Sequence, residues 1–286
     1  DVQAEFYQEV VLQFLEFYRR NETPNPCVIC NEKIKLGWLV QKARTLGYAY
    51  VATGHWARFT GSPEQGFHLH QAANSAKDQS YFLYRLSQEI LQHVLFPLGR
   101  FMSKDEVRAL AYRYGLPTDS KPESQEVCFV PDGDLHSFLA QQAPDVLQPG
   151  MITDAAGKEL GRHDGLALFT EGQRRGIGVA GGKPLYVVRK QAENNQLVLG
   201  TLAETGSDAL VAREVHWLQP VPVFPFACTC RIRYKGTAYQ AVVTPLHPDR
   251  MLVSFAAPVS GISPGQSAVF YLGDEVVGGG IISPAA

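Results

Sequence analysis

Three cysteines carry the most reactive chemistry in this chain. Cys27 and Cys30 stand three residues apart, directly behind Asn25 and Pro26, and Cys128 lies far downstream. A thiol attacks carbon or sulfur, or binds a metal, as its thiolate. Thiolate is favoured near a helix N-terminus, where the backbone dipole carries partial positive charge. A Cys-x-x-Cys pair at such a place supports redox exchange, half of a zinc site or a plain structural role, and its spacing does not choose among them. No second pair with zinc-like spacing occurs in this half of the chain. Cys128 sits in the apolar run 127–130, which reads as a short strand, and by itself it reads as a small core residue. Cys228 and Cys230 flank one residue in a β-like run. A strand would point both side chains to one face, and a structural role is expected for them.

The elements around these thiols follow from hydrophobic period and punctuation. Phe6, Val10, Phe14 and Tyr18 recur every four residues, with Val11 and Leu15 beside them, so 1–20 predicts a helix that Asp1 can cap. Thr23-Pro24-Asn25-Pro26 ends it, because each proline disfavours α geometry in the residue before it. A second helix is expected over 32–46, stopping near Gly47, and then a short strand over 48–53 with Gly54 and His55 at its tip. In open α/β sheets, ligands bind beyond the carboxyl ends of strands. Ser103 and Glu106 form a capping box ahead of a further helix that stops near Gly115 and Pro117. Lys77-Asp78-Gln79-Ser80 reads as a solvated start to an apolar helix over 81–86.

From about 150 the chain turns to glycine and β-type residues, with runs at 186–188 and 196–199, and after 208 strands alternate with Pro and Gly turns as in a small barrel. The window 162–190 holds six basic residues against two acidic ones, and its glycines allow a phosphate chain to approach the backbone. Arg231, Arg233 and Lys235 are expected on one face of a strand, with Tyr234 on the other.

Bulk properties set the frame. The 286 residues are 45% hydrophobic and carry a formal net charge of −2, so any nucleic-acid contact must come from local patches. No apolar run is long enough for a membrane span, and no signal peptide is evident. Five sparse cysteines do not suggest a secreted disulfide framework, and a reducing cytoplasm is the expected location.

Taken together, several blocks resemble the bacterial tRNA 2-thiouridylase family. They are Thr23-Pro24-Asn25-Pro26-Cys27-Val28-Ile29-Cys30-Asn31 with Ile34-Lys35, Ala52-Thr53-Gly54-His55, and Lys77-Asp78-Gln79-Ser80-Tyr81-Phe82-Leu83. Further on come Ser124-Gln125-Glu126-Val127-Cys128-Phe129, Gly172-Gln173-Arg174-Arg175-Gly176-Ile177-Gly178, Arg233-Tyr234, and Pro264-Gly265-Gln266 with the apolar run after it. The blocks fall in family order over nearly the whole chain.

The resemblance implies an α/β fold. A partial PP-loop (adenine-nucleotide α-hydrolase-like) parallel-sheet domain over 1–145 would precede a small β-rich central domain over 146–207 and a C-terminal β-barrel over 208–286. It implies a sulfurtransferase that makes 2-thiouridine in tRNA, using ATP with Mg2+ and sulfur from a cysteine persulfide. Cys30 would be the nucleophile, and Cys128 would carry the persulfide received from a sulfur donor or relay protein. Asn25, Pro26 and Cys27 would lie against the target base, and Gly54 would approach ATP. His55, Lys77, Asp78, Gln79, Arg233, Tyr234 and Gln266 would contact tRNA, with lysine, glutamate and glutamine isoacceptors as the implied substrates. An oxygen on uracil leaves poorly until adenylated, and two thiols within reach of each other then suit covalent sulfur transfer and release as a disulfide.

Two alternatives stand beside this reading. Cys27, Cys30 and Cys128 are enough thiolates to hold a [4Fe–4S] cluster with one iron open. The family's Ser-Gly-Gly-x-Asp-Ser phosphate loop does not occur in the chain, so a truncated, catalytically incomplete tRNA-binding fragment is the other expectation.

Overall fold

The computed structural model describes residues 1–116, 127–179 and 183–284. Helix α1 covers residues 3–19, with one π-helical turn at Tyr7–Val11. The Asp1 carboxylate accepts from the Gln3 N–H at 3.0 Å, as expected of a cap. Val10, Phe14, Leu15, Phe17 and Tyr18 form its buried face. The chain leaves it through Asn21 in the left-handed region and the two prolines.

Helix α2 covers residues 26–45 and begins earlier than the expected residue 32. Pro26 occupies its first turn, where no backbone donor is needed, so the proline that ends one segment also opens the next. Both cysteines of the pair therefore lie inside the helix. Directly after Cys30 the helix widens to π geometry over Asn31–Trp38, a form often found at functional positions. Gly47, at φ +83°, closes it where expected.

The predicted strand 48–53 shortens to β1, Val51–Ala52. The hairpin β2 (Ala57–Ser62) and β3 (Gly66–Gln71) follows, and then a short helix α3, Gln88–Leu91. Strand β4, Val94–Leu95, pairs parallel with β1. Helix α4, Lys104–Arg113, starts at Ser103, whose Oγ accepts from the Glu106 N–H at 3.1 Å, so the capping expectation holds. Gly115 follows it at φ +64°, while Pro117 lies outside the described residues. Helix α5 spans Leu135–Gln142.

Three expectations are corrected. The apolar run 81–86 is not a helix; only Ser80–Phe82 makes a single 3-10 turn. Tyr81, Leu83, Tyr84 and Leu86 are all buried, so the run has no solvent face to give it a helical period. Leu83 and Leu86 each contribute roughly 1.5–3 kcal/mol by burial. The run 127–130 is a turn, not a strand, closed by Val130 N–H donating to the Val127 carbonyl at 3.0 Å. Phe129 there packs edge-to-face on Phe6 and Phe14 of α1, so rings replace a strand partner. The basic row 231–235 is not one strand face, because the strand stops at Arg231 and Lys235 sits in a turn at φ +58°.

The β-rich part forms two sheets. Strands β5 (Gly150–Asp154), β6 (Glu159–His163), β7 (Tyr186–Gln191) and β8 (Gln196–Gly200) order as β6-β5-β8-β7, with β5 and β8 parallel. The barrel consists of β9 (Gly206–Trp217), β10 (Phe226–Arg231), β11 (Ala238–His247), β12 (Arg250–Ser260), β13 (Ser267–Leu272) and β14 (Glu275–Ile282). It runs β13-β10-β11-β12-β9-β14 and closes through β13–β14 pairing, which leaves no free barrel edge. Cys228 and Cys230 point into its core, as expected. The hairpin β2–β3 pairs along the start of β14, with His70 opposite Glu275, so the first region and the barrel share one sheet.

Candidate functional site

The first turns of α2 carry the thiols. Cys27 is exposed, and Cys30 is 7% exposed among Val10, Phe17, Ile29 and Ile281. Cys128 is exposed on the turn that Phe129 anchors, and Phe129 packs against the same apolar group as Cys30. Charge on Cys128 raises the pKa of both Cys27 and Cys30, so the three thiols share one electrostatic neighbourhood. Ser124, Gln125 and Glu126 of the Cys128 block lie outside the described residues.

The expected thiolate preference is overturned for the helix pair. Burial pushes Cys30 up to about 11, with Lys35 pulling back the other way; Cys27, although its surface reaches solvent, is raised as well by desolvation from the atoms packed around it. Desolvation of a charged sulfur outweighs the helix N-terminus here. Among the described residues, no three His, Cys, Asp or Glu side chains converge to hold a metal ion. The cysteines as arranged therefore do not fit a cluster site.

Gly54 is exposed just past the carboxyl end of β1. An added Cβ there would meet only Leu98, at 3.7 Å, so the backbone is open to an approaching ligand. His55 is held from both sides: Nδ1 lies 2.8 Å from Thr53 Oγ1 and Nε2 3.1 Å from Asn31 Oδ1. The Asn31 amide nitrogen donates to the Phe82 carbonyl at 3.4 Å, which leaves Oδ1 to accept from His55 Nε2–H. Burial, helped by Lys35, lowers the imidazole to about 4, so it is neutral at physiological pH.

The Lys77-to-Leu83 block meets this arrangement from the far side. Lys77 is half-buried. Gln79 pairs reciprocally with Trp56, its side chain accepting at 3.0 Å and its N–H donating at 2.8 Å. Asp78 is not a solvated cap. Its carboxylate is buried, accepts from the Ala72 and Ser80 N–H groups and from Ser80 Oγ, and pairs with Arg231 at 3.2 Å. It fixes the loop. Phe82 lies 4.4 Å from the ring of Tyr234, which brings this loop against the barrel.

Arg233 donates to the Ser260 and Gly261 carbonyls, at 3.2 and 3.0 Å. Gly261 touches Gly172, where an added Cβ would lie 2.7 Å from the Gly261 Cα. The glycine of the Gly172 block is thus a docking point between the central sheet and the barrel; Arg174 and Arg175 after it are exposed. Gln266 donates from one nitrogen to the Thr23 and Pro24 carbonyls, each at 3.0 Å. The adjoining Gly265 has no room for a side chain, since an added Cβ would lie 2.7 Å from the Thr23 carbonyl oxygen. The barrel therefore holds the loop that carries Asn25 and leads into Pro26.

Sequence reasoning gave no role to four residues that build this site. Asn31 and Lys35 stood inside a quoted block, so their signal was present. Glu22 and Arg213, paired at 2.7 Å with Glu22 3% exposed, tie the end of α1 to β9 and left no local signal.

Comparisons with known proteins agree over the whole chain. Residues 1–132 match the model of a tRNA methyl transferase HUP domain, 136–201 a tRNA methyl transferase PRC-barrel domain, and 207–282 an aminomethyltransferase beta-barrel domain. The tRNA-specific 2-thiouridylase MnmA of Trichlorobacter lovleyi is 43% identical over 99% of this chain and 80% of its own length. Those of Magnetococcus marinus and Geobacter metallireducens are each 45% identical, over 98% and 99% of this chain and 78% and 77% of theirs. No helix among the described residues is long and apolar enough to cross a membrane.

Proposed function

The chain belongs to the tRNA-specific 2-thiouridylase family, and from that premise we propose that it replaces the C2 oxygen of a wobble uridine in tRNA with sulfur. The observation that supports this mechanism is the influence of Cys128 on the Cys30 thiol, together with the packing of Phe129, next to Cys128, against the apolar group that holds Cys30. ATP, with Mg2+, would supply the adenylyl group that makes the uracil oxygen a leaving group, and Gly54, exposed past the end of β1, would lie against it.

Cys128, exposed, accepts a sulfur from a persulfide donor and becomes the persulfide. Its outer sulfur attacks C2 of the activated base. The Cys30 thiolate then attacks the Cys128 sulfur. The S–S electron pair stays with the sulfur on C2, the activated oxygen departs, and a Cys30–Cys128 disulfide remains. Burial of Cys30 keeps it protonated until this step, which protects the persulfide from early discharge. Asn25, Pro26 and Cys27 form the wall against which the base rests. His55, neutral and fixed by Thr53 and Asn31, brings no charge to the site. Lys77, Gln79, Arg174, Arg175 and Tyr234 lie along the path of the tRNA backbone, where contacts position rather than select. Asp78, Arg233 and Gln266 shape that path from beneath. A [4Fe–4S] route is not adopted, because the three cysteines do not converge as ligands.

The test is mass spectrometry of nucleosides from tRNA incubated with the full-length protein, ATP, Mg2+ and a persulfide donor. We expect 2-thiouridine in lysine, glutamate and glutamine tRNAs, a cytoplasmic reaction in the cell, and its loss in Cys30→Ser and in Cys128→Ser. Absence of 2-thiouridine from the wild-type reaction would overturn the reading.

A further inference from the structure

The loop that leads into α2 is gripped from two sides. The Thr23 N–H donates to the Pro264 carbonyl at 2.8 Å, and the Thr23 carbonyl accepts from Gln266 at 3.0 Å. Both partners lie in the barrel, just ahead of β13. The Thr23 hydroxyl turns the other way and meets the Thr170 hydroxyl of the central region at 3.2 Å. Two residues further on, Asn25 stands at the N-terminal end of α2, and Pro26 and Cys27 open its first turn.

Thr170 begins a turn in which each residue has a partner. Glu171 accepts from Ser263 Oγ at 3.1 Å and lies 4.0 Å from Lys190 Nζ. The Lys190 side chain is 2% exposed and also donates to the Phe169 carbonyl at 3.1 Å. A buried ammonium is tolerated only when paired, so breaking this pair is costly and the turn is held firmly. Gly172 packs on Gly261 and donates to the Val187 carbonyl of β7 at 2.8 Å. The Gln173 side chain accepts from the Thr170 N–H at 3.0 Å and donates to the Arg175 carbonyl at 2.9 Å. Arg174 and Arg175 leave this turn exposed. One braced turn therefore has a cationic end for phosphate and a hydroxyl end on the loop of Asn25.

We propose that Thr170 is a positioning residue for sulfur transfer, which holds the loop of Asn25, Pro26 and Cys27 in register with the arginine pair; this rests on the thiouridylase reading above. Transfer-RNA phosphates seated on Arg174 and Arg175 then present the target base to that loop at a fixed spacing. Thr170 itself makes no bond to tRNA. Phosphate contacts supply affinity, whereas the hydroxyl pair supplies only register. The two contributions should therefore separate: loss of the Thr170 hydroxyl acts on the rate at saturating tRNA and leaves affinity alone.

The experiment compares full-length wild type, Thr170→Val, which keeps the volume without the hydroxyl, and Thr170→Ser, which keeps the hydroxyl. Single-turnover 2-thiouridine formation at saturating tRNA is measured beside tRNA affinity. We expect Thr170→Val to slow the rate about fivefold with affinity within about twofold, and Thr170→Ser to restore the rate. Arg174→Ala with Arg175→Ala should weaken affinity and also slow the rate at saturation. Added to Thr170→Val, it should slow the rate no further, because both act through one register. A second arm needs no turnover. Iodoacetamide labelling of Cys27 in tRNA-free protein, followed by peptide mass spectrometry, should quicken about fivefold in Thr170→Val and return in Thr170→Ser. Equal effects of the valine and serine variants, rate losses that multiply, a loss confined to affinity, or unchanged Cys27 labelling in Thr170→Val overturns the proposal. A wild type that forms no 2-thiouridine fails the reading above, while the labelling arm still judges the link.

Discussion

The Nε2 of His55 lies 3.1 Å from Oδ1 of Asn31, the residue next to Cys30. The contact joins the tip of β1 to the start of the π-helical stretch in α2. It holds the imidazole in its Nε2–H form with Thr53 on the other nitrogen. With the folded pKa lowered to about 4, the unfolded chain binds this proton more tightly. Stability should therefore fall as pH drops from about 6.5 toward 4 and level off below that. NMR titration of the His55 ring should give a midpoint near 4; a midpoint near 6.5 would contradict the buried, neutral assignment.

Cys30 predicts a pH dependence of the opposite kind. Its thiol is raised to about 11, so the thiolate fraction grows about tenfold per pH unit between about 7 and 10. The disulfide-forming step, followed by single-turnover release of sulfur from persulfidated enzyme, should accelerate across that range. Lys35 is the nearby positive charge that lowers both Cys30 and Cys27, so Lys35→Gln should shift the profile further to alkaline pH. A profile flat above pH 7 would show that Cys30 is already ionised.

Gln266 should act through the loop it holds. Gln266→Leu removes two donations to the Thr23 and Pro24 carbonyls, a loss of about 1–3 kcal/mol. We expect a lower thermal midpoint and a lower kcat, because the loop that carries Asn25 and leads into Pro26 loses its anchor. An effect on tRNA affinity alone, with midpoint and kcat unchanged, would favour a direct tRNA contact instead.

Asp78 tests the same distinction on the other side. Asp78→Ala strands Arg231 and leaves the Ala72 and Ser80 N–H groups without their acceptor, which should cost about 3 kcal/mol. Chemical denaturation measures it. Unchanged stability with weakened tRNA binding would return Asp78 to the surface role that its block implied.

Much of this arrangement was legible in local pattern. The apolar spacing of α1, the Ser103 cap, the glycine after α2 and the β runs at 186–188 and 196–199 all report neighbours within a few positions. The errors share one cause. The runs 81–86 and 127–130 are apolar because they pack on distant rings and strands, and such runs carry no period of their own. Asp78 read as a solvated cap because its partner, Arg231, is 153 residues away.

The sequence by itself determined which thiols exist, that two of them stand three residues apart, and that the ordered blocks belong with tRNA thiolation. Only the tertiary structure decided that α2 starts early enough to hold both Cys27 and Cys30, that Cys30 is buried while Cys27 is not, and that β2–β3 joins the barrel. The reason is physical. Spacing sets which side chains share a face, but desolvation, ion pairing and strand partnership depend on atoms brought close from far along the chain. Those terms were strong enough to reverse the thiolate preference that the start of α2 alone would have given Cys30.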